Sequence, residues 1–162
     1  MNENGDYRAT MEMLEAGEEM VKGAPKKRGE VVMIVRRPDL GEREVVAEGV
    51  LSCAVGLVGD NWLARGSRHT ADGTAERGKQ LTLMSSRVAA LVAGERGRWP
   101  LAGDQLYVDL DLSEANLPAG ARLRVGTAVV EVSVLPHTGC KKFRERFGLD
   151  ALKWVSSAEG KG

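Results

Sequence analysis

The feature that most constrains this chain is the way its apolar residues come in short runs cut off by glycine. VVMIV at 31–35 is continuous and apolar, the pattern of a strand buried on both faces. EVVAEGVLS at 44–52 follows the PDLGER turn and reads as a second strand. KQLTLM at 79–84 is a third. LYVDLDLS at 106–113 alternates, with Leu106, Val108, Leu110 and Leu112 on one face and polar groups on the other. ARLRVG and TAVVEVSVL form a hairpin-like pair around Gly126 and Thr127. Helices are few: RVAALVAGE, N-capped by Ser85 or Ser86 and stopped by Gly94 and Gly97, and LDALKWVSS as a closing helix. This predicts a mainly β (α+β) fold, a barrel or sandwich with a few short helices. Residues 1–28 are expected to be poorly ordered apart from a short helix near Met11 to Ala16, with PKKRG as the boundary to a domain over 29–162.

Charge excludes several functions. Lys and Arg number 23 and so do Asp and Glu, giving formal net charge zero, so the basic excess of a general nucleic-acid binder is missing. Aromatic residues are 4% of the chain, too few for base-stacking platforms. No apolar run approaches the length of a membrane span, and the acidic N-terminus lacks a hydrophobic leader core, so a cytoplasmic location is expected. Cys53 and Cys140 lie far apart and are expected to be reduced. With only two histidines and no Cys-x-x-Cys pair, a closed zinc site is not expected, and a bound metal would draw some ligands from elsewhere.

Three stretches can carry chemistry. In GLVGDNWLARGSRH, glycines bracket Leu57 and Val58 and permit a tight turn, Asp60 can cap neighbouring amides, and Arg65, Arg68 and His69 can face an anion. The plainer reading is a solvated basic loop; no Gly-Lys-Ser/Thr follows, so it is not a Walker-type phosphate loop. Between strands, Asn116 precedes Leu117 and Pro118, and its amide offers both donor and acceptor to a heterocycle, or else serves an ordinary turn. Asp109 and Asp111 read as the solvated side of a strand. The third stretch is VSVLPHTGCKKFRERFG, where a thiol stands between a proline turn and a run of cations. Pro136 marks a strand end or an edge. Gly139 allows torsions that would turn Cys140 out of the loop. Lys141, Lys142 and Arg144 would favour its thiolate, the form that attacks electrophiles and binds metals, and His137 can add a proton shuttle. Cys53, in LSCAVG, reads as core packing.

Taken in order, GLVGDNW, RH, KQLTLM, AGDQLYVDLDLSEANLPAGARLRVG and PHTGCKKFRERFG resemble the MOSC family, domains similar to the C-terminal part of molybdenum cofactor sulfurases. The resemblance runs from about Gly29 to the last residue. It implies a MOSC-like β-barrel and a cysteine, here Cys140, that either ligates molybdenum held by a pterin dithiolene (molybdopterin) or carries sulfur as a persulfide. It further implies Cys140 and His137 as catalytic residues, and Arg68, His69, Asn116, Lys141 and Lys142 as cofactor contacts. Soft thiolates suit such centres, and a persulfide is a reversible cap on a reactive cysteine. The implied activities are reduction of N-hydroxylated compounds or sulfur transfer, with a small-molecule substrate or a sulfur donor or acceptor protein as partner. Pyridoxal phosphate is not expected, since it belongs to a separate desulfurase portion of fused relatives. Relatives usually continue past LDALKWVSSAEG into a basic segment and a Gly-rich strand unit; this chain stops at EGKG. A barrel lacking that unit would leave an open strand edge, a route to a homodimer. The competing expectation is a non-catalytic module that binds an anion or a protein edge.

Overall fold

The order of strands in the main sheet explains where the core lies. The structure, a computed structural model, describes residues 7–157. The EGKG end and residues 1–6 lie outside that range. Strands β1 (Glu30–Arg36), β2 (Glu44–Val46), β5 (Leu83–Ser85) and β6 (Leu106–Asp109) form one sheet in the order β2-β1-β6-β5. β6 runs antiparallel to β1 and parallel to β5. Being central, it buries both faces: Leu106, Tyr107 and Val108 are all buried, so the one-sided alternation expected of this strand gives way to two covered faces. β1 shows the converse. Met33 and Val35 are buried but Val31 is exposed, so its continuous apolar run has one core face rather than two.

Two further pairs stand apart: β3 (Leu51–Ser52) with β4 (Gly56–Leu57), and β7 (Arg122–Val125) with β8 (Ala128–Glu131). The second is the hairpin expected at Gly126, whose φ of 59° suits the turn. The expected strand at 44–52 is thus split between β2 and β3. Among the described residues the strands do not close into a barrel: three separate sheets and six helices make a mixed α/β fold, correcting the mainly β barrel expectation. Apart from β1, the strands have two to four residues, and such strands, interrupted by glycine at positive φ, are too short to wrap a continuous ladder.

Helices cover one side of the main sheet. In α4 (Ser86–Ala93), Ser85 Oγ accepts from Val88 N at 3.4 Å, the expected cap, and Val88, Ala89, Val92 and Ala93 face the core. α5 (Lys141–Phe147) and α6 (Leu149–Val155) contribute Phe143, Phe147, Ala151 and Trp154. The segment before Gly29 corrects another expectation. α1 (Met11–Ala16) is the short helix anticipated, but α2 (Glu18–Lys22) follows it, and Ala9, Leu14, Val21 and Ala24 are buried. Leu14 and Val21 are spaced by two helical turns, so an acidic segment still presents an apolar stripe to the core. α3 (Trp62–Arg65) is a single turn beside the main sheet's Arg37.

Candidate functional site

One end of β6 carries a buried polar network. Arg37, one residue beyond β1, forks onto Asp60: Nε donates to Oδ1 at 2.8 Å and Nη2 to Oδ2 at 2.7 Å. Their side chains are 9% and 0% exposed. Asp60 also accepts from the backbone N–H of Arg37 and of Trp62, the capping role read from the sequence. Burial pushes its carboxyl up, but the bonds and charge of Arg37 outweigh this and hold it below the usual carboxylate range. The turn that delivers Asp60 depends on Gly56 and Gly59, at φ 74° and 86°, as the bracketing glycines predicted. Gln105 completes the network: Nε2 reaches Asp60 Oδ2 at 3.3 Å, and Oε1 accepts from Thr82 N and Thr82 Oγ1, both at 2.8 Å.

Next to Gln105, Asp104 points its carboxylate at His137. The Asp104 side chain is 6% exposed and that of His137 is 61% exposed, with Oδ1 and Nε2 3.0 Å apart. The contact is an ion pair when His137 is protonated, and among the described residues Oδ1 makes no hydrogen bond of good geometry. The bond to Asp104 raises the His137 pKa; desolvation opposes it, the Asp104 charge adds to it, and Lys79 and Arg37 oppose it. Three residues on lies Cys140, exposed, at the entrance to α5. Three residues of chain reach at most about 11 Å, which bounds the separation of the two Cα atoms.

Cations surround the network without matching anions. Arg43 is pushed down by desolvation and by the charges of Arg146 and Arg37, and Arg65 by desolvation and by Arg37. Among the described residues neither makes an ion pair with a carboxylate. Arg146 of α5 donates to Leu101 O at 2.6 Å, bringing that helix to the same region.

The expected site residues divide. His137 belongs to this end of β6, and Cys140 follows it by three residues at the start of α5. Lys141 and Lys142 are exposed on the first turn of α5, and Lys141 lies 3.8 Å from Glu145. Arg68 and His69 are exposed on the loop after α3; the His69 N–H donates to Ser67 Oγ, and among the described residues no bond joins either side chain to His137 or Cys140. Asn116 is placed elsewhere. Its Nδ2 donates to Lys26 O at 2.9 Å and to Asp111 O at 2.8 Å, so both amide donors are spent on a turn. Asp104 and Asp111 flank β6 at its two ends, seven positions and about 23 Å of extended chain apart, which puts Asn116 at the end away from Asp104. Asp109 is paired with Arg87 at 2.7 Å rather than merely solvated.

Two local readings change. Gly139 has no positive φ; its lack of a side chain is needed because a Cβ there would strike Leu152. Cys53 is exposed, not core. Sequence reasoning passed over Arg37, Gln105 and Asp104. Their trace was an ionisable or amide group next to an apolar strand: the second Arg after VVMIV, and Asp-Gln before LYV.

Surface cavities of about 520 and 310 Å³ lie away from Cys140, the first lined by Met11, Glu15 and Trp154, the second by Pro25, Gly29 and Asp109. Among the described residues no three His, Cys, Asp or Glu side chains gather into a metal-binding group, and no helix is long and apolar enough to cross a membrane. No family model, no curated protein and no solved structure matches this chain.

Proposed function

We propose that this chain is a MOSC-type protein that binds molybdenum cofactor with Cys140 as the molybdenum ligand or as a persulfide sulfur carrier. The observation that supports it most is the exposed thiol of Cys140 on the same segment as His137, which meets the buried Asp104 carboxylate, while Arg43 and Arg65 near Arg37 lack carboxylate partners among the described residues. The donor set fits the group. Cys140 would bring one soft sulfur ligand to a metal whose other ligands arrive with the pterin. Arg43 and Arg65 would take an anionic phosphate, since an anion would relieve the repulsion each feels from Arg37. When bound, the cofactor supplies oxygen-atom or sulfur chemistry. Asn116 is not carried into this reading, because its donors are already used. Arg68 and His69 are kept only as loop residues that could close over a bound ligand. Reduction of N-hydroxylated compounds and sulfur delivery to a partner protein both remain readings of the same thiol.

A second reading has its own support. Val45 and Val50, on and after β2, are 57% and 67% exposed, and β2 is an edge of the main sheet. An apolar edge of this kind suits pairing with another strand, in a homodimer or a binding module without catalysis. Molybdenum per chain, measured on protein expressed in a cofactor-producing host, separates the two. Binding in the native protein with loss in Cys140→Ala supports the cofactor reading. A mass increase of one sulfur atom on the Cys140 peptide, without molybdenum, selects the carrier role. Neither metal nor sulfur on Cys140 would remove the first reading and leave the second.

A further inference from the structure

The residues 133–139 that lead to Cys140 have no regular structure. Before them, Val132 N donates to Ala121 O at 2.8 Å; after them, Cys140 O accepts from Arg144 N at 3.1 Å. Inside the segment, Leu135 N bonds only to the neighbouring Ser133 Oγ, and Val134 is 82% exposed. Leu135 lies against Gly78, and Gly139 lies against Leu152 of α6. Among the described residues, the one polar contact from this segment to another part of the fold is His137 with Asp104.

Asp104 is itself clamped on both sides. Gly103 O accepts from Arg37 Nη1 at 3.1 Å, while Gln105 O accepts from Val35 N at 2.7 Å and its side chain is held by Thr82 and Asp60. A backbone fixed this way presents the carboxylate in one place.

We propose that Asp104 is the positioning residue of the Cys140 segment, docking it through His137 by a tie that depends on protonation of the imidazole. The charged groups that act on His137 are Asp104, Lys79 and Arg37. Asp104 favours the charged imidazole and the two cations oppose it. Because the folded-state pKa is raised, the tie is fully present below the ordinary histidine value and is lost as pH rises through the higher folded value. Its Nε2 faces the carboxylate. The functional weight of this device rests on Cys140 being the reactive group; the tie can be tested without that.

With only two histidines in the chain, imidazole nitrogen NMR can resolve His137 from His69. His137 is expected to titrate above the ordinary histidine value, with Nε2 carrying the proton when neutral, and Asp104→Asn should bring it down. The second readout is the ratio of Cys140 to Cys53 labelling by a small neutral thiol reagent, resolved by peptide mass. In the native protein the ratio should rise roughly two- to fivefold across the His137 titration, the worth of an ion pair with one exposed partner. In Asp104→Asn and in His137→Gln it should be high already on the acid side and change little with pH. A ratio that both variants leave as in the native protein overturns the proposal, as does a His137 midpoint unmoved by Asp104→Asn. Loss of the cofactor reading would leave these results standing, so the two can fail separately.

Discussion

The two ends of β6 solve the same problem in different ways. At the end before Leu106, polar side chains are buried against one another, Arg37 with Asp60 and Gln105 with Thr82, and the buried Asp104 carboxylate meets the exposed His137. At the end after Asp109, polar groups turn to backbone instead: Asn116 to two carbonyls, Asp111 to the N–H of Ser113. Backbone-satisfied turns are cheap and local. A buried charge pair is costly to form and very costly to break, so its presence marks an end whose geometry is tightly specified. The thiol is attached to the costly end.

Removing one partner of the Arg37 pair should therefore give the largest effect. Asp60→Ala leaves a guanidinium that is nearly buried and unpaired, which predicts a loss of about 3–5 kcal/mol in denaturant unfolding. A loss below 1 kcal/mol would mean that this end is no more specified than the other. The same residue sets an acid dependence. Its carboxyl is held below the ordinary value, so its contribution is present above the unfolded-state pKa and lost as pH falls through the folded one. The acid side of the stability curve should thus be shallower in Asp60→Ala than in the native protein.

Asn116→Ala tests the other end. Two hydrogen bonds to carbonyls disappear from a half-buried turn, and about 1 kcal/mol should follow. The labelling ratio of the cysteines and the molybdenum content should not change. If Asn116→Ala reduced metal content as much as Cys140→Ala does, the separation of the two ends would be wrong.

What could be read from the sequence was local. The Ser85 cap, the turn at Gly126, the closing helix at 149–155 and the glycines around Leu57 each depend on neighbours a few residues away. The pairing of Arg37 with Asp60 and of Asp104 with His137 joins residues distant in sequence, and no periodicity encodes it. Asp104 was hidden within AGDQLY, where it resembles a turn residue leading into a strand. Asn116 misled in the opposite direction, since an amide beside a proline looks available until its partners are known. For the N-terminal helices, acidic composition masked the spacing of Leu14 and Val21. Closure into a barrel was inferred from the number of strands, but strand length decides it.

The smallest effect is expected at Cys53, where apolar neighbours in sequence suggested a core thiol. Ser52 Oγ accepts from the N–H of Ala54 at 3.2 Å, and Cys53 O accepts from Gln80 Nε2 at 3.0 Å. The residue is thus held by its backbone while the side chain stays exposed. Truncating an exposed thiol removes little packing, so Cys53→Ala should change stability by less than about 0.5 kcal/mol. Folded native protein should also present two reactive thiols per chain, since both cysteines are exposed. A single reactive thiol, joined to a loss of 1 kcal/mol or more in Cys53→Ala, would return Cys53 to the core and undo the use of its labelling as the internal reference for Cys140.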